Sequence, residues 1–156
     1  GTGSFSHLET MPTNMPDAFE SGTLNLPGII GLNEGLAFLE SKGMENIHTH
    51  ELALTEDFLK GLRPIDGINI IGKQDVQDRT AVVSITIDGA DAASVAYELE
   101  STYHIMTRVG LHCAPRAHQT LGTYPEGTVR FSFGYANTME DIETALSALT
   151  TIANKI

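Results

Sequence analysis

Apolar residues recur along this chain with two different periods, and segments with one period alternate with segments with the other. Spacing by three and four, typical of an amphipathic helix, predicts helices at 27–42, 44–62 and 91–103 and a last one that starts after Thr138. Alternation of apolar and polar residues, or a short β-branched run, predicts strands at 68–71, 81–87, 105–109 and 128–134. Residues 1–26 show no sustained period and are punctuated by glycine and proline.

The order of these elements, ααββαββα, favours an α+β fold in which helices pack against a small, mainly antiparallel sheet. Residues 27–156 form the predicted domain, and residues 1–26 form an irregular lead-in. Parity in the last strand turns Val129, Phe131 and Phe133 towards the core and places Arg130 on the opposite face. A chain of 156 residues is long enough to bury a core of its own.

Composition narrows the classes of partner. The formal net charge of −11 argues against nucleic acids and anionic membranes, which bind through lysine and arginine. No apolar run approaches the roughly 20 residues of a membrane helix, and no signal-peptide pattern opens the chain. A single cysteine cannot form an internal disulfide, which favours a reducing cytoplasm. The start at Gly1, without a methionine, is expected of a fragment or a processed chain.

The single cysteine lies in a segment suited to displaying a thiol. His112 precedes Cys113, and Gly110 and Pro115 bracket the pair after a predicted strand. An exposed loop thiol can be activated as a nucleophile by a nearby cation, whereas a lone cysteine is otherwise often a small buried apolar residue. Arg130 could bind a carboxylate through two parallel hydrogen bonds, or it could be a solvated edge residue.

Three segments together resemble one family. They are R-x-G-x-H-C-A-P at 108–115, T-V-R-x-S-F-G-Y-x-N-T at 128–138 and E-x-G-T-x-N at 20–25. The set resembles the C-terminal part of the cysteine desulfurases, pyridoxal-phosphate (PLP) enzymes of the class V aminotransferase family. It is most similar to the group whose catalytic cysteine sits on a short, ordered loop. The resemblance implies the C-terminal small domain of a fold-type I PLP enzyme.

The resemblance also implies roles for particular residues. Cys113 would attack the sulfur of the substrate cysteine and become a persulfide, and His112 would tune its thiol. Arg130 would hold the substrate α-carboxylate, and Arg108 would orient the loop or pair with acids of a partner domain. Two residues would contact the cofactor. Thr23 would reach the PLP phosphate of the other subunit, and Gly22 would permit the backbone to approach that phosphate closely. The Gly-rich residues 1–4 resemble a family loop near the active site.

The implied parent is a cytoplasmic homodimer that converts L-cysteine to L-alanine and passes the sulfur from its persulfide to an acceptor protein. The family binds PLP through a lysine Schiff base on a large domain. The lysines of this chain are Lys42, Lys60, Lys73 and Lys155, and none has the His-Lys setting of the family's cofactor lysine. We therefore expect the chain alone to be folded but inactive. Leu111 also departs from the family, since many members of the group have a second histidine there.

Other functions stay open at this point. A selenocysteine lyase, or another class V lyase or transaminase, would keep the role of Arg130 and could dispense with Cys113. A non-catalytic binding module could present Cys113 as a redox or sulfur-relay thiol. A metal site at His112, Cys113 and His118 is disfavoured, because a second cysteine and regular ligand spacing are lacking.

Overall fold

A computed structural model describes residues 5, 7, 9–20 and 22–156. The helices are α1 (Leu26–Lys42), α2 (Met44–Leu62), α3 (Ala92–Tyr103), α4 (Pro115–Leu121) and α5 (Met139–Ala153). The strands are β1 (Ile68–Ile71), β2 (Val82–Ile87), β3 (Arg108–Gly110) and β4 (Thr128–Ser132). The chain divides into two compact units, Gly1–Met44 and Glu45–Ile156. The predicted boundary between residues 26 and 27 stays a prediction.

The four strands of the second unit form one antiparallel sheet in the order β1-β2-β4-β3. In the centre of the sheet Val83 of β2 lies opposite Phe131 of β4. At one edge Arg108 of β3 lies opposite Arg130 of β4. The predicted α+β fold with a mainly antiparallel sheet is confirmed.

The core of this unit forms where α2, α3 and α5 supply apolar side chains to one face of the sheet. Phe58 of α2 is completely buried, and its ring lies 5.0 Å from the rings of both Phe131 and Phe133. The predicted stripe of α2, which is Ile47, Leu54, Phe58 and Leu62, is buried throughout. Aromatic and aliphatic burial of this kind is the main favourable term in folding.

Caps fix the ends of the predicted helices. Asn25 accepts a hydrogen bond from the Gly28 amide at the start of α1. At the start of α5, Thr138 and Asp141 form a reciprocal capping box. The same helix begins at Met139 and buries the predicted residues Ile142, Ala145, Leu149 and Ile152, whereas Leu146 is only half-buried.

Two predictions about the stretch before β4 were wrong. The strand expected at 105–109 is only Arg108–Gly110, because the Ile105 amide donates to the Leu99 carbonyl and so completes the cap of α3. The helix α4 was missed, so the observed order is ααββαβαβα. Its seven residues are too few to establish a period, and its N-cap residue, Ala114, has no capping side chain.

The helix α1 was correctly predicted, but its apolar residues are not buried. Ile29, Leu32 and Leu36 are each more than half exposed, and no residue of α1 is buried. Its three-and-four apolar spacing therefore does not mark a core-facing stripe in this structure. None of the helices in the described part of the chain combines the length and apolar character needed to cross a membrane.

Candidate active site

Cys113 lies in a tight turn that follows β3. The Ala114 amide donates to the Leu111 carbonyl at 2.8 Å and closes the turn. Both central residues have positive φ, 49° at His112 and 60° at Cys113, the combination typical of type I′ turns. A left-handed conformation costs a residue other than glycine about 1–2 kcal/mol. Such strain is concentrated at functional sites, and here it places an exposed thiol at the tip of the turn.

Two glycines hold the base of this loop together. Gly127, immediately before β4, has a φ of 80°, and its Cα lies against the backbone of Gly110 at the end of β3. A Cβ at Gly127 would come closer than van der Waals contact allows to the Gly110 carbonyl and Cα. The close approach brings the two ends of the 17-residue segment 111–127 together and anchors it on neighbouring strands.

His112 points from the turn to the first residue of β4. Its Nε2 lies 3.1 Å from the Thr128 hydroxyl, and its buried Nδ1 has no hydrogen-bond partner. Burial first, and then electrostatic interactions with Arg130, His118 and Arg108, hold the pKa of His112 below its ordinary value of 6.5. The imidazole is therefore neutral at pH 7 and has a nitrogen that can accept a proton.

Arg130 and Arg108 lie directly opposite each other in the β3–β4 ladder. Like charges in this arrangement repel. Neither arginine forms an ion pair within the described residues, and the buried Nε of Arg130 has no hydrogen-bond partner. A buried guanidinium nitrogen without a partner is costly unless it binds an anion, and a carboxylate matches the geometry of the group. The pair is thus suited to a small carboxylate-bearing ligand.

The structure brings His112, Arg108 and Arg130 together, and Cys113 follows His112 in the same turn. Gly22 and Thr23 belong to the other compact unit, where both are exposed and Gly22 has a φ of 88°. Residues 1–4 lie outside the described residues.

The lysines all have contacts of their own. Lys60 pairs with Glu56 and Asp57, and Lys155 pairs with Glu98. Lys73 donates to the Gln77 carbonyl, and the Lys42 ammonium lies over the Phe38 ring. None of these contacts involves Cys113, His112, Arg108 or Arg130, so none of them joins the site to a lysine Schiff base of the kind that holds PLP.

Sequence reasoning missed two threonines that contact the site. Thr128 holds His112, and Thr123 lies 2.7 Å from Nδ1 of the buried His118. Strand parity could have indicated Thr128, because it lies two residues before Arg130 and so shares its face. No sequence period connects Thr123 to the turn. The described residues contain no group of three side chains arranged to hold a metal ion.

Comparisons with known proteins identify the family of the chain. Residues 3–145 match the family model described as aminotransferase class-V. A probable cysteine desulfurase of Methanothermobacter thermautotrophicus is 36% identical over 141 residues, which are 90% of this chain and 35% of that protein. One from Mycolicibacterium paratuberculosis is 37% identical over 138 residues, covering 88% of this chain and 19% of that protein.

Solved structures show the same likeness. The apo cysteine desulfurase of Thermococcus onnurineus superposes with a TM-score of 0.83 at 33% identity, covering 90% of this chain and 34% of that one. An Escherichia coli cysteine desulfurase in an S-sulfonic acid form gives a TM-score of 0.78 at 25% identity, covering 90% and 34%. The chain spans about a third of the length of most of these relatives. With a family match over most of its length, the chain belongs to the class-V aminotransferase family.

Proposed function

We propose that this chain is the C-terminal small domain of a cysteine desulfurase and supplies the thiol and the carboxylate-binding arginine of its active site. The observation that carries the proposal is the exposed Cys113 on a strained turn, next to strands that present Arg130 with a buried, unpartnered Nε. Relatives described as probable cysteine desulfurases support the reaction class.

Arg130 binds and orients the substrate in this proposal. Its guanidinium grips the α-carboxylate of L-cysteine, which satisfies the buried Nε and offsets the repulsion from Arg108. Arg108 adds positive charge on the same face of the sheet and helps to orient the turn. A substrate fixed by its carboxylate has little freedom at its other end, and positioning of this kind is a major source of rate acceleration.

Cys113 receives the sulfur. The carbon–sulfur bond of the substrate breaks, an S–S bond forms at Cys113 Sγ, and L-alanine leaves, so that one thiol and one cysteine become one persulfide and one alanine. The thiolate is the nucleophilic form, and the thiol proton must leave before attack. The neutral His112 ring adjoins Cys113 and can take up a proton at a ring nitrogen.

The remainder of the active site comes from outside these residues in our proposal. PLP supplies the electron sink for the chemistry, and the lysine that holds it belongs to another part of the parent protein. Thr23 and Gly22 contact the cofactor phosphate of the second subunit of a homodimer. A separate acceptor protein removes the sulfur, and a lone free thiol agrees with a cytoplasmic location.

The first test uses the full-length parent and the variant Cys113→Ala. Desulfuration of L-cysteine should be abolished while the fold and bound cofactor are retained. Turnover of L-cysteine at the parent rate would instead indicate a lyase that needs no enzyme thiol. Continued cleavage of selenocysteine would not contradict the proposal, because selenium is the better leaving group.

The second test is Arg130→Lys in the same protein, with Arg63→Lys as the matched control. Arg63 is an arginine that donates to the Gln74 carbonyl, away from the site. Loss of the bidentate grip should weaken L-cysteine binding by roughly 10–150-fold, the equivalent of about 1.5–3 kcal/mol. Unchanged binding in Arg130→Lys would remove the assigned role of Arg130.

The third test asks whether the chain is inactive alone. The purified 156-residue chain is mixed with PLP and L-cysteine, and the cofactor spectrum and sulfide release are recorded. We expect no lasting lysine-bound cofactor and no sulfide. Sulfide release with a stable lysine-bound spectrum would show that one of the four lysines serves the cofactor and that a separate domain is unnecessary.

A further inference from the structure

We propose that His118 and Thr123 are positioning residues that hold the His112 ring and thereby the turn that presents Cys113. The inference deepens the proposed function and rests on it for the chemistry of Cys113. The contacts that carry it are independent of that chemistry, because they are all made within the segment between β3 and β4 and with β4 itself.

The first contact is a doubly linked pair at the end of α4. The His118 carbonyl accepts from the Thr123 amide at 2.9 Å, and His118 Nδ1 lies 2.7 Å from the Thr123 hydroxyl. Both residues are buried, with 6% and 9% of their surfaces exposed. A buried imidazole needs such a partner, since a polar group without one loses its hydration with nothing in return.

The pair is then joined to the Cys113 turn and back to the sheet. The His118 ring lies 5.6 Å from the His112 ring, between centroids, at an angle of 50°. His112 reaches the hydroxyl of Thr128, a residue that is completely buried in β4. The Gly127 amide, next to Thr128, donates to the Thr123 carbonyl at 2.7 Å. These contacts form a closed network, called here the His118 network, whose members are His118, Thr123, Gly127, Thr128 and His112.

Most of the buried polar residues belong to the His118 network. Of the four buried polar residues among the described residues, three are His118, Thr123 and Thr128. Apolar side chains would fill the same volume without needing partners, so polar residues here specify one arrangement rather than add packing. The arrangement they specify holds two residues in strained, positive-φ conformations at the tip of the loop.

The His118 network also holds the His112 imidazole near other charged groups. The charged and titratable groups that face His112 are Arg130 on β4, Arg108 on β3 and His118 on α4, and its chain neighbour is Cys113. Loss of the His118–Thr123 bond should let the His112 ring move towards solvent. The pKa of His112, which burial lowers first and these charges lower further, should then rise towards its ordinary value.

The test compares Thr123→Val, which removes the hydroxyl at nearly constant shape, with Thr123→Ser, which keeps it. Both are made in the 156-residue chain and followed by NMR. In Thr123→Val, hydrogen exchange of the Ala114 amide, which closes the Cys113 turn, should be about tenfold faster than in the unsubstituted chain. The His112 titration midpoint should rise. Thr123→Ser should restore both measurements.

The two measurements separate positioning from mere stabilisation of α4. A purely structural role would lower global stability without moving the titration of His112 in the native state. Equal exchange at Ala114 and equal His112 midpoints in Thr123→Val and Thr123→Ser would overturn the proposal. Should Thr123→Val not fold, His118→Phe keeps a ring in place and removes its nitrogens, and it is judged by Ala114 exchange alone against Thr123→Ser, because loss of the His118 imidazole changes the His112 pKa directly.

Rate measurements in the full-length parent protein test whether the His118 network contributes to catalysis. Thr123→Val should slow persulfide formation on Cys113 about tenfold while L-cysteine affinity, which depends on Arg130, stays within about twofold. Equal loss of both, or loss of neither, would count against positioning. If the parent protein forms no persulfide at all, the proposed function fails, and the exchange and titration results still decide the role of His118 and Thr123.

Discussion

Replacing Gly127 with alanine should destabilise the chain by about 2–4 kcal/mol, because the new Cβ meets backbone rather than a movable side chain. Ideal placement brings that Cβ against the carbonyl and Cα of Gly110, across the base of the loop that carries Cys113. Neither strand end can move away without breaking the Gly110–Thr128 pairing at the edge of the sheet.

The magnitude has two parts that a control can separate. A left-handed φ costs alanine about 1–2 kcal/mol, partly offset by about 0.4–1 kcal/mol from the stiffer unfolded chain. Gly122→Ala should show only this net cost of about 1 kcal/mol, since Gly122 has a φ of 74° and open space around its Cα. Gly127 has a similar φ of 80° and adds the overlap, worth about 1–3 kcal/mol.

The assay is urea unfolding of the unsubstituted chain and both variants, followed by circular dichroism. The urea concentration at the unfolding midpoint should be highest in the unsubstituted chain, lower in Gly122→Ala and lowest in Gly127→Ala, and the dependence of unfolding free energy on urea should have the same slope in all three. In thermal unfolding each kcal/mol should correspond to a loss of roughly 2–4 °C for a chain of this size. If Gly127→Ala proves no less stable than Gly122→Ala, the tight approach of Gly110 and Gly127 does not exist in solution, and the argument for an anchored loop is wrong.

Three further predictions concern other parts of the second unit. Thr138→Ala should lose the capping box of α5 and about 1 kcal/mol of unfolding free energy, whereas Thr138→Ser should keep most of it in the same urea assay. Phe58→Ala should lower the free energy of unfolding by about 3–5 kcal/mol, because the ring is fully buried against Phe131 and Phe133, and a loss below about 1 kcal/mol would contradict that packing. The unsubstituted chain should lose stability as the pH falls below 6.5 towards the lowered folded-state pKa of His112, because the unfolded state binds the proton first. Urea unfolding at several pH values should show a smaller loss of stability in His112→Gln, and an equal loss would show that His112 is not buried as described.

Local patterns in the sequence determined most of the helices and the central strands. The boundaries of α2 and β1 agree residue by residue with the prediction, because turn residues end both the helical period of α2 and the short β-branched run of β1. The cap residues Asn25 and Thr138 act through hydrogen bonds within three residues, so they too can be inferred locally. Strand parity placed Arg130 opposite the core-facing Val129 and Phe131.

The motifs went further than the periods. The segments around Cys113 and Arg130 carried the resemblance to the family, and residues 3–145 match its model. The roles assigned to Cys113, His112, Arg108, Arg130, Thr23 and Gly22 stay predictions until the variants are measured.

Tertiary structure alone decided the rest. Pro115 in the first turn of α4 and the left-handed Gly122 at its end are local signals for this short helix, but the burial of His118 and Thr123 is set by tertiary packing. The exposure of Ile29 and Leu32 in α1 depends on what lies around the helix, which spacing along the chain cannot specify. The contacts between His112 and Thr128, and between Gly110 and Gly127, join residues 16 and 17 positions apart. Such contacts exist only once β3 and β4 have paired, so hydrogen bonds and periods between near neighbours contain no record of them.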